Sequence, residues 1–162
     1  MTEQSSRVLL VTATEIEAKS IIKTFRKNKP PKLLESKDGS YHYLGKIKNK
    51  EVFLLESLMG SSTPGGAINT ISKGILDLNP QDVILVGIAF GVKKENFKIG
   101  DILVSEQLYL YEHGKINKKN IKDKREFLSR GDKVTAPIGL INRVRSASKY
   151  WSKSQVKFGV FI

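Results

Sequence analysis

The stretch that decides the fold of this chain is Val83-Ile-Leu-Val-Gly-Ile-Ala-Phe-Gly91, an apolar run that breaks into Gly-x-Ala-x-Gly. Such a run predicts a strand buried on both faces, with a carboxyl end that opens into a loop of small residues. A second apolar run, Ile102 to Val104, follows a Gly100-Asp101 turn and ends at the hydroxyl of Ser105. Ligands bind at the carboxyl ends of strands in open α/β sheets, so the two runs indicate a small-molecule site.

The segment before these runs alternates strands with helices. Arg7 to Ala13 predicts a first buried strand, and the capping box Thr14-Glu-Ile-Glu17 predicts that a helix follows at once. Tyr41 to Ile47 and Glu51 to Ser57 flank Lys48-Asn-Lys50, which is typical of a hairpin with a short turn. A second helix follows, with apolar residues at helical spacing and a stop at its end: Ile68, Ile71, Ile75, Leu76 and Asn79-Pro80.

The last part of the chain predicts one more helix and one more strand. The helix begins at about Pro137, and its inward-facing residues are expected to be Leu140, Ile141, Val144 and Ala147. The strand runs from Val156 to Ile162 and has no turn or polar tail after it. Either this strand stops at the surface, or the chain ends inside a larger domain. The sequence as a whole predicts an α/β fold with a mixed central sheet flanked by helices.

Length and composition limit the class of protein. With 162 residues and 40% hydrophobic content, residues 1–162 are expected to form a single domain. The chain has no cysteine, and its two histidines are His42 and His113, so neither a disulfide framework nor a metal site is predicted. The amino terminus carries no signal-like segment and no apolar run reaches the length of a membrane span, which predicts a soluble cytoplasmic protein with no membrane partner.

The net charge of +12 raises the question of a nucleic-acid partner. Residues 1–111 contain 15 Lys and Arg against 12 Asp and Glu, whereas residues 112–162 contain 13 against 4. Much of the excess lies in Lys115 to Arg125, a segment without aromatic residues that could stack on bases. We therefore interpret this segment as a solvated, mobile loop, and a nucleic-acid partner is not predicted.

Glu17 has two competing interpretations. It follows the carboxyl end of the first strand, where a carboxylate could activate a water molecule for attack on a substrate. It is also the fourth residue of a Thr-x-x-Glu box, in which a glutamate binds the backbone N–H of the capping residue without any catalytic role. Spacing alone favours the capping role.

The glycine-rich loop Gly60-Ser-Ser-Thr-Pro-Gly-Gly66 offers backbone N–H groups and hydroxyls close to a helix amino terminus. These groups suit an oxyanion or a ribose hydroxyl. The alternative is that the loop contains glycines only because its backbone angles require them. The loop lacks the Lys-Ser/Thr ending of a P-loop and the spacing of a dinucleotide fingerprint. The sequence therefore predicts no ATP, NAD or other cofactor.

The order of these parts resembles the nucleoside phosphorylase superfamily, in particular its 5′-methylthioadenosine/S-adenosylhomocysteine nucleosidase branch. The elements that carry the resemblance are the Glu-x-Glu helix start, the Ser-x-x-Gly loop, the Gly-x-Ala-x-Gly strand end and Lys-x-Gly-Asp-x-x-Val-Ser, which begins at Lys98. The resemblance implies cleavage of the N-glycosidic bond of a purine nucleoside, by water in preference to phosphate, because the phosphorylases' Gly-Asp-x-x-Arg motif is missing after the first strand; phosphate stays open as a second partner. It also implies a homodimer or a larger oligomer.

The resemblance implies a role for each candidate site residue. Glu17 matches the glutamate that polarises the attacking water, which reverses the preference for a purely capping role. The implied substrate contacts are Ser57, Gly60 and Ser61 near the ribose and nucleophile, and Ile88, Ala89 and Phe90 beside the base.

The chain also departs from the family pattern. Ile88 and Phe90 are bulkier than the hydroxyl residue and glycine usual in the nucleosidases, so the nucleoside stays open, and a non-catalytic nucleoside-binding regulatory module is the alternative. The family's Glu-Met-Glu segment and late aspartate, the acid for the leaving purine, have no counterpart up to Ile162. We therefore expect that the domain is incomplete at its carboxyl end and that this chain alone is a poor catalyst.

Overall fold

The computed structural model describes residues 6–26, 30–36, 39–58, 65–89, 96–109, 114–117, 126–129 and 133–160. They divide into two compact units, one within residues 1–88 and the other within residues 89–162. A single domain over residues 1–162 stays a prediction.

The first unit is built on a five-stranded mixed sheet with strand order β2-β3-β4-β1-β5. Strands β4, β1 and β5 are parallel, with Leu10 of β1 level with Leu54 of β4 and Ile84 of β5, whereas β3 runs antiparallel to both of its neighbours, β2 and β4. The elements in chain order are β1 (Ser6–Thr12), α1 (Glu15–Arg26), β2 (Lys32–Glu35), β3 (Ser40–Ile47), β4 (Lys50–Glu56), α2 (Ala67–Leu78) and β5 (Asp82–Leu85).

Two apolar clusters hold the helices against opposite faces of this sheet, because successive side chains of a strand point to opposite faces. One cluster joins α1 to the sheet, and its buried members are Leu10, Ala18, Leu44, Val52 and Leu54. The other joins α2 to the sheet, and its buried members are Leu9, Val11, Tyr41, Phe53, Leu55 and Leu78. The predicted α/β fold with a mixed sheet flanked by helices is thereby confirmed.

The predicted hairpin and the predicted helix stop are both present. β3 and β4 pair from Ile47 and Lys50 onward, and Lys48 has a positive φ of 53° in the turn between them. α2 ends at Asn79, which adopts the left-handed conformation and donates its N–H to the carbonyl of Ile75 at 2.9 Å. Both features are local, and in both the residues quoted from the sequence set the backbone conformation.

The strand predicted from Val83 differs from the expectation. β5 ends at Leu85, close to the predicted break before Gly87, but it is not buried on both faces: Val83 and Ile84 are half-buried and Leu85 is exposed. The reason is its position, since β5 is the edge strand of the first unit's sheet and pairs only with β1 among the described residues.

The second unit contains a three-stranded sheet, a two-stranded sheet and one helix. In the three-stranded sheet β6 lies between β10, which is parallel to it, and β9, which is antiparallel. The elements are β6 (Ile102–Tyr109), β7 (Gly114–Asn117), β8 (Glu126–Ser129), β9 (Lys133–Thr135), α3 (Ile138–Ser148) and β10 (Val156–Val160). In the described part of both units, no helix is long and apolar enough to cross a membrane.

Three expectations for this unit need correction. β6 does not end at Ser105, because pairing with β9 extends it to Tyr109. The start of the segment predicted as a loop from Lys115 belongs to strand β7, which pairs with β8, while residues 118–125 lie outside the described residues. In α3, Ile141 is buried as predicted, but Ala147, one residue before the end of the helix, is exposed.

Candidate functional site

The carboxyl ends of the parallel strands β4, β1 and β5 meet at one edge of the first unit's sheet. Just past β4, the Ser57 N–H donates to the carbonyl of Thr12 at 2.8 Å. Just past β5, the Val86 N–H donates to the carbonyl of Val11 at 2.8 Å. The backbone therefore keeps a defined conformation beyond the last strand residues. We call this edge of the sheet, at the carboxyl ends of β4, β1 and β5, the platform. Ligands bind at the corresponding edge in other open α/β sheets.

Glu17 reaches this platform from the first turn of α1. Its Oε2 atom accepts the N–H of Thr14 at 3.0 Å and that of Ala13 at 3.2 Å, and its own N–H donates to Thr14 Oγ1 at 3.4 Å. Its Oε1 atom accepts the N–H of Ile88 at 2.8 Å. Glu17 therefore closes the predicted capping box with one carboxylate oxygen and binds the chain after β5 with the other.

These contacts fix the protonation state of Glu17. Partial burial raises the pKa of this carboxyl, but hydrogen bonds from Ile88 N–H, the Thr14 side chain and the N–H groups of Ala13 and Thr14 outweigh that effect, so the pKa lies below its ordinary value. The group is thus ionised at neutral pH. These bonds stabilise the fold above the unfolded-state pKa of about 4.3, and this stabilisation is lost as pH falls through the lower folded-state pKa.

The Glu17 carboxylate is half-buried, and its two oxygens differ in the number of backbone N–H groups that they accept. A carboxylate oxygen has two acceptor positions, and Oε2 already binds two backbone N–H groups. Oε1 receives a single backbone N–H from the described residues, so its second position has no backbone donor. An ionised, half-buried carboxylate at the end of parallel strands can hold and deprotonate a water molecule.

Gly87 contributes to this site by having no side chain. A Cβ atom built at Gly87 would lie 2.8 Å from Oε1 of Glu17 and 3.4 Å from its Cδ. In the sequence, Gly87 stands out only as part of the Gly-x-Ala-x-Gly pattern, without a role of its own. A glycine in an apolar strand run often marks a close approach of other groups, and this was the available signal.

Ser57 lies at the platform but is only 3% exposed. Its hydroxyl donates to the Thr12 carbonyl at 3.2 Å, so in this structure Ser57 ties β4 to β1. Thr12 itself is 1% exposed, and its hydroxyl has no hydrogen-bond partner among the described residues. Sequence analysis did not single out Thr12, because a threonine at a strand end is common.

Of the other predicted substrate contacts, two belong to the described residues and three do not. Ile88 has an exposed side chain, and what brings it to Glu17 is its backbone N–H. Ala89 is exposed and begins the second unit. Gly60, Ser61 and Phe90 lie outside the described residues. The roles of these residues toward a substrate stay predictions.

The described residues contain no group of three or more histidine, aspartate or glutamate side chains placed to hold a metal ion. A mixed sheet between two helices, with an ionised carboxylate at the carboxyl ends of its parallel strands, defines an α/β protein whose site suits a small polar ligand. The chain belongs to the phosphorylase superfamily, whose family model matches residues 7–158. A search of curated proteins gives no match.

Solved structures with the same fold include two nucleosidases and a hydrolase. A 5′-methylthioadenosine/S-adenosyl homocysteine nucleosidase from Helicobacter pylori, solved in complex with a substituted pyrrolidin-3-ol, matches 98% of this chain at 19% identity and a TM-score of 0.71. Futalosine hydrolase of the same organism matches 96% at 19% identity and a TM-score of 0.69. The corresponding nucleosidase from Neisseria meningitidis, in complex with methylthio-immucillin-A, matches 96% at 18% identity and a TM-score of 0.68.

At these identities the likeness shows the fold of the chain. The chain spans 64% of the length of the first of these structures and 63% of the length of the other two.

Proposed function

We propose that this chain carries the water-activating part of a hydrolase that cleaves the N-glycosidic bond of a purine nucleoside. The proposal is supported by membership of the phosphorylase superfamily and by the likeness to solved nucleosidases and a hydrolase. The observation that carries it is the Glu17 carboxylate, which is held at the carboxyl ends of parallel strands by three backbone N–H groups.

The proposed step uses Glu17 as the acceptor of a proton. The bond between the anomeric carbon and the purine nitrogen breaks, and its electron pair leaves with the base. The water oxygen forms a new bond to the anomeric carbon, and its proton passes to the carboxylate of Glu17. The departing purine takes a proton from a different group. Since Glu17 is ionised before the step, no prior deprotonation is required.

The same carboxylate favours water over phosphate as the nucleophile. A phosphate dianion next to an ionised carboxylate would be repelled, whereas a neutral water molecule donates a hydrogen bond to it. This supports hydrolysis rather than phosphorolysis.

The test is a nucleoside cleavage assay in water enriched in ¹⁸O. Methylthioadenosine, adenosine and inosine are incubated with the chain, with and without phosphate, and free purine base is measured. The chain is used at concentrations close to those of the nucleosides, because the family resemblance predicts slow turnover by these residues alone. We expect base release without phosphate and one ¹⁸O atom in the sugar product.

Glu17→Gln is the informative variant, because it keeps the shape of the side chain but removes its basicity. We expect a loss of rate of about 100-fold or more, the usual size of a general-base contribution. Glu15→Gln is the matched control: Glu15 lies in the same helical turn, is exposed and pairs only with Lys19 in the contacts described, so this variant should keep the activity of the native chain.

Three other outcomes would contradict the proposed function, and two of them would identify a different one. Release that requires phosphate and yields ribose 1-phosphate would indicate a phosphorylase. Nucleoside binding in calorimetry with unchanged ligand after long incubation would indicate the regulatory module, which the bulky exposed side chain of Ile88 favours. Neither binding nor release for any nucleoside would rule out the proposed function.

We further propose a homodimer or larger assembly, which the family resemblance implies, and a cytoplasmic location. Light scattering after size-exclusion chromatography and cell fractionation would test these two points.

A further inference from the structure

We propose that Gly87 is a positioning residue for Glu17: the lack of a side chain at residue 87 gives the Glu17 carboxylate its place at the end of β5, where it binds the Ile88 N–H. The structural part of this proposal depends only on the contacts of Glu17 and on the space around Gly87. Its consequence for catalysis rests on the proposed function.

The first argument is the space around Gly87. A Cβ atom there would lie 2.8 Å from Glu17 Oε1, inside the 3.0 Å limit below which real Cβ contacts are essentially never found. The backbone of Gly87 does not itself require glycine, because its φ lies outside the positive range that L residues rarely adopt. Among the contacts that a Cβ would meet, all three nearest atoms belong to the Glu17 carboxyl group. The carboxylate is therefore what excludes a side chain at this residue.

The second argument is that the carboxylate cannot easily move aside. Its Oε2 atom is tied to the start of α1 by the N–H groups of Ala13 and Thr14 at 3.2 and 3.0 Å. Its Oε1 atom is tied to Ile88, the residue next to Gly87, at 2.8 Å. A methyl group at residue 87 would push Oε1 away from the Ile88 N–H or break the capping box at the other oxygen.

Two other glycines, Gly74 and Gly139, have different surroundings from Gly87. A Cβ at Gly74 would meet the ends of two leucine side chains at 3.0 Å, so that glycine lets α2 pack closely on the sheet. A Cβ at Gly139 would meet nothing within 4 Å. Gly139→Ala is therefore a matched control that adds the same methyl group in open space.

The experiment compares the full chain with its Gly87→Ala and Gly139→Ala variants. The primary measurement is the titration of the Glu17 carboxyl carbon by NMR, which needs no enzyme activity. We expect the pKa of Glu17 to rise in Gly87→Ala, because the Ile88 N–H no longer stabilises the charged form, and to stay unchanged in Gly139→Ala. An unchanged titration of Glu17 in Gly87→Ala would overturn the proposal.

The second measurement is nucleoside hydrolysis. Displacement of a reacting group by about 1 Å costs about 100-fold in rate, so we expect kcat to fall by about that factor in Gly87→Ala with little change in KM. The acid limb of the pH profile should move to higher pH together with the NMR titration. If the titration moves and no variant or native chain hydrolyses a nucleoside, the positioning role holds and the proposed function fails.

A double-variant cycle covers the case in which Gly87→Ala folds poorly. Glu17→Ala removes the atoms that the new methyl group would meet, so Gly87→Ala should be much less destabilising in the Glu17→Ala background than in the native one. Equal destabilisation in both backgrounds would show that Gly87 is needed for a reason other than Glu17.

Discussion

The two units of this protein are stabilised in different ways. Among the described residues, the first unit holds eleven of the buried apolar side chains and the second holds one, Ile141. Residues 89–162 instead carry 16 Lys and Arg against 7 Asp and Glu, and residues 1–88 carry 12 against 9. Cations rest on aromatic rings in both units, as Arg7 does on Phe53 at 6.0 Å and Arg145 does on Phe158 at 5.2 Å.

This difference explains where the carboxylate site is found. A reactive group needs a rigid support. The strands whose carboxyl ends lie beside Glu17 belong to the sheet that is packed on both faces. The second unit presents a charged surface with little buried apolar area in its described part. Four substitutions, two in each unit, test this contrast.

Leu54→Ala should have the largest effect, because Leu54 is 0% exposed in the central part of the first unit's sheet. We expect a loss of about 3 kcal/mol in the free energy of unfolding of this unit, from lost burial and the cavity left behind. Hydrogen exchange of β1 and β4 amides measures it. Leu76→Ala, at a side chain that is 83% exposed, is the control and should change stability by less than about 0.5 kcal/mol.

Ile141→Ala should cost less, about 2 kcal/mol, because the half-buried surroundings of Ile141 in the second unit can collapse around the cavity. The only tryptophan of the chain, Trp151, lies in this unit, and its fluorescence during urea unfolding reports the loss. The exchange of β1 and β4 amides should stay unchanged. A parallel shift of both signals would show that the two units unfold together.

Thr12→Val should stabilise the first unit by about 1 kcal/mol. The Thr12 hydroxyl is buried without a hydrogen-bond partner among the described residues, and valine replaces it with a methyl group of similar size. Thermal unfolding measures the gain. Thr70→Val is the control: the Thr70 hydroxyl donates to the Gly65 carbonyl at 2.8 Å, so the same replacement there should destabilise.

Glu106→Gln should have the smallest effect. Glu106 pairs with Arg145 in the second unit, and both side chains are partly exposed, so we expect a loss of less than about 0.5 kcal/mol. The difference between this variant and the native chain, followed by Trp151 fluorescence, should disappear in 1 M salt because the ion pair is screened. A loss that persists at high salt would mean that the second unit depends on this pair for packing.

Local signals predicted much of the first unit. The Thr14-to-Glu17 box, the Lys48 turn and the Asn79 stop each depend on residues within a few positions, and each lies where it was predicted. Strand extents failed where pairing decided them. β6 continues past Ser105 because β9 pairs with it, and β5 is half-buried because it is an edge strand. The local residue pattern does not predict which strands pair or which strand lies at the edge.

The candidate site was predicted in part. Glu17 was singled out, and its capping interpretation is confirmed because one of its oxygens accepts the Thr14 N–H, whereas its catalytic role stays a prediction. The contact of Ile88 with Glu17 is made by the backbone, which residue types do not reveal. The dependence on Gly87 joins two residues seventy positions apart, and only the three-dimensional fold brings them together.

The Ile88 hydrogen bond has a consequence for how such a protein can diverge. Ile88 serves Glu17 through its main chain, whereas its side chain is 72% exposed. Replacement of that side chain by any residue other than proline leaves the N–H donor in place. Natural selection can therefore vary the side chain at residue 88 without removing the hydrogen bond that holds the neighbouring carboxylate.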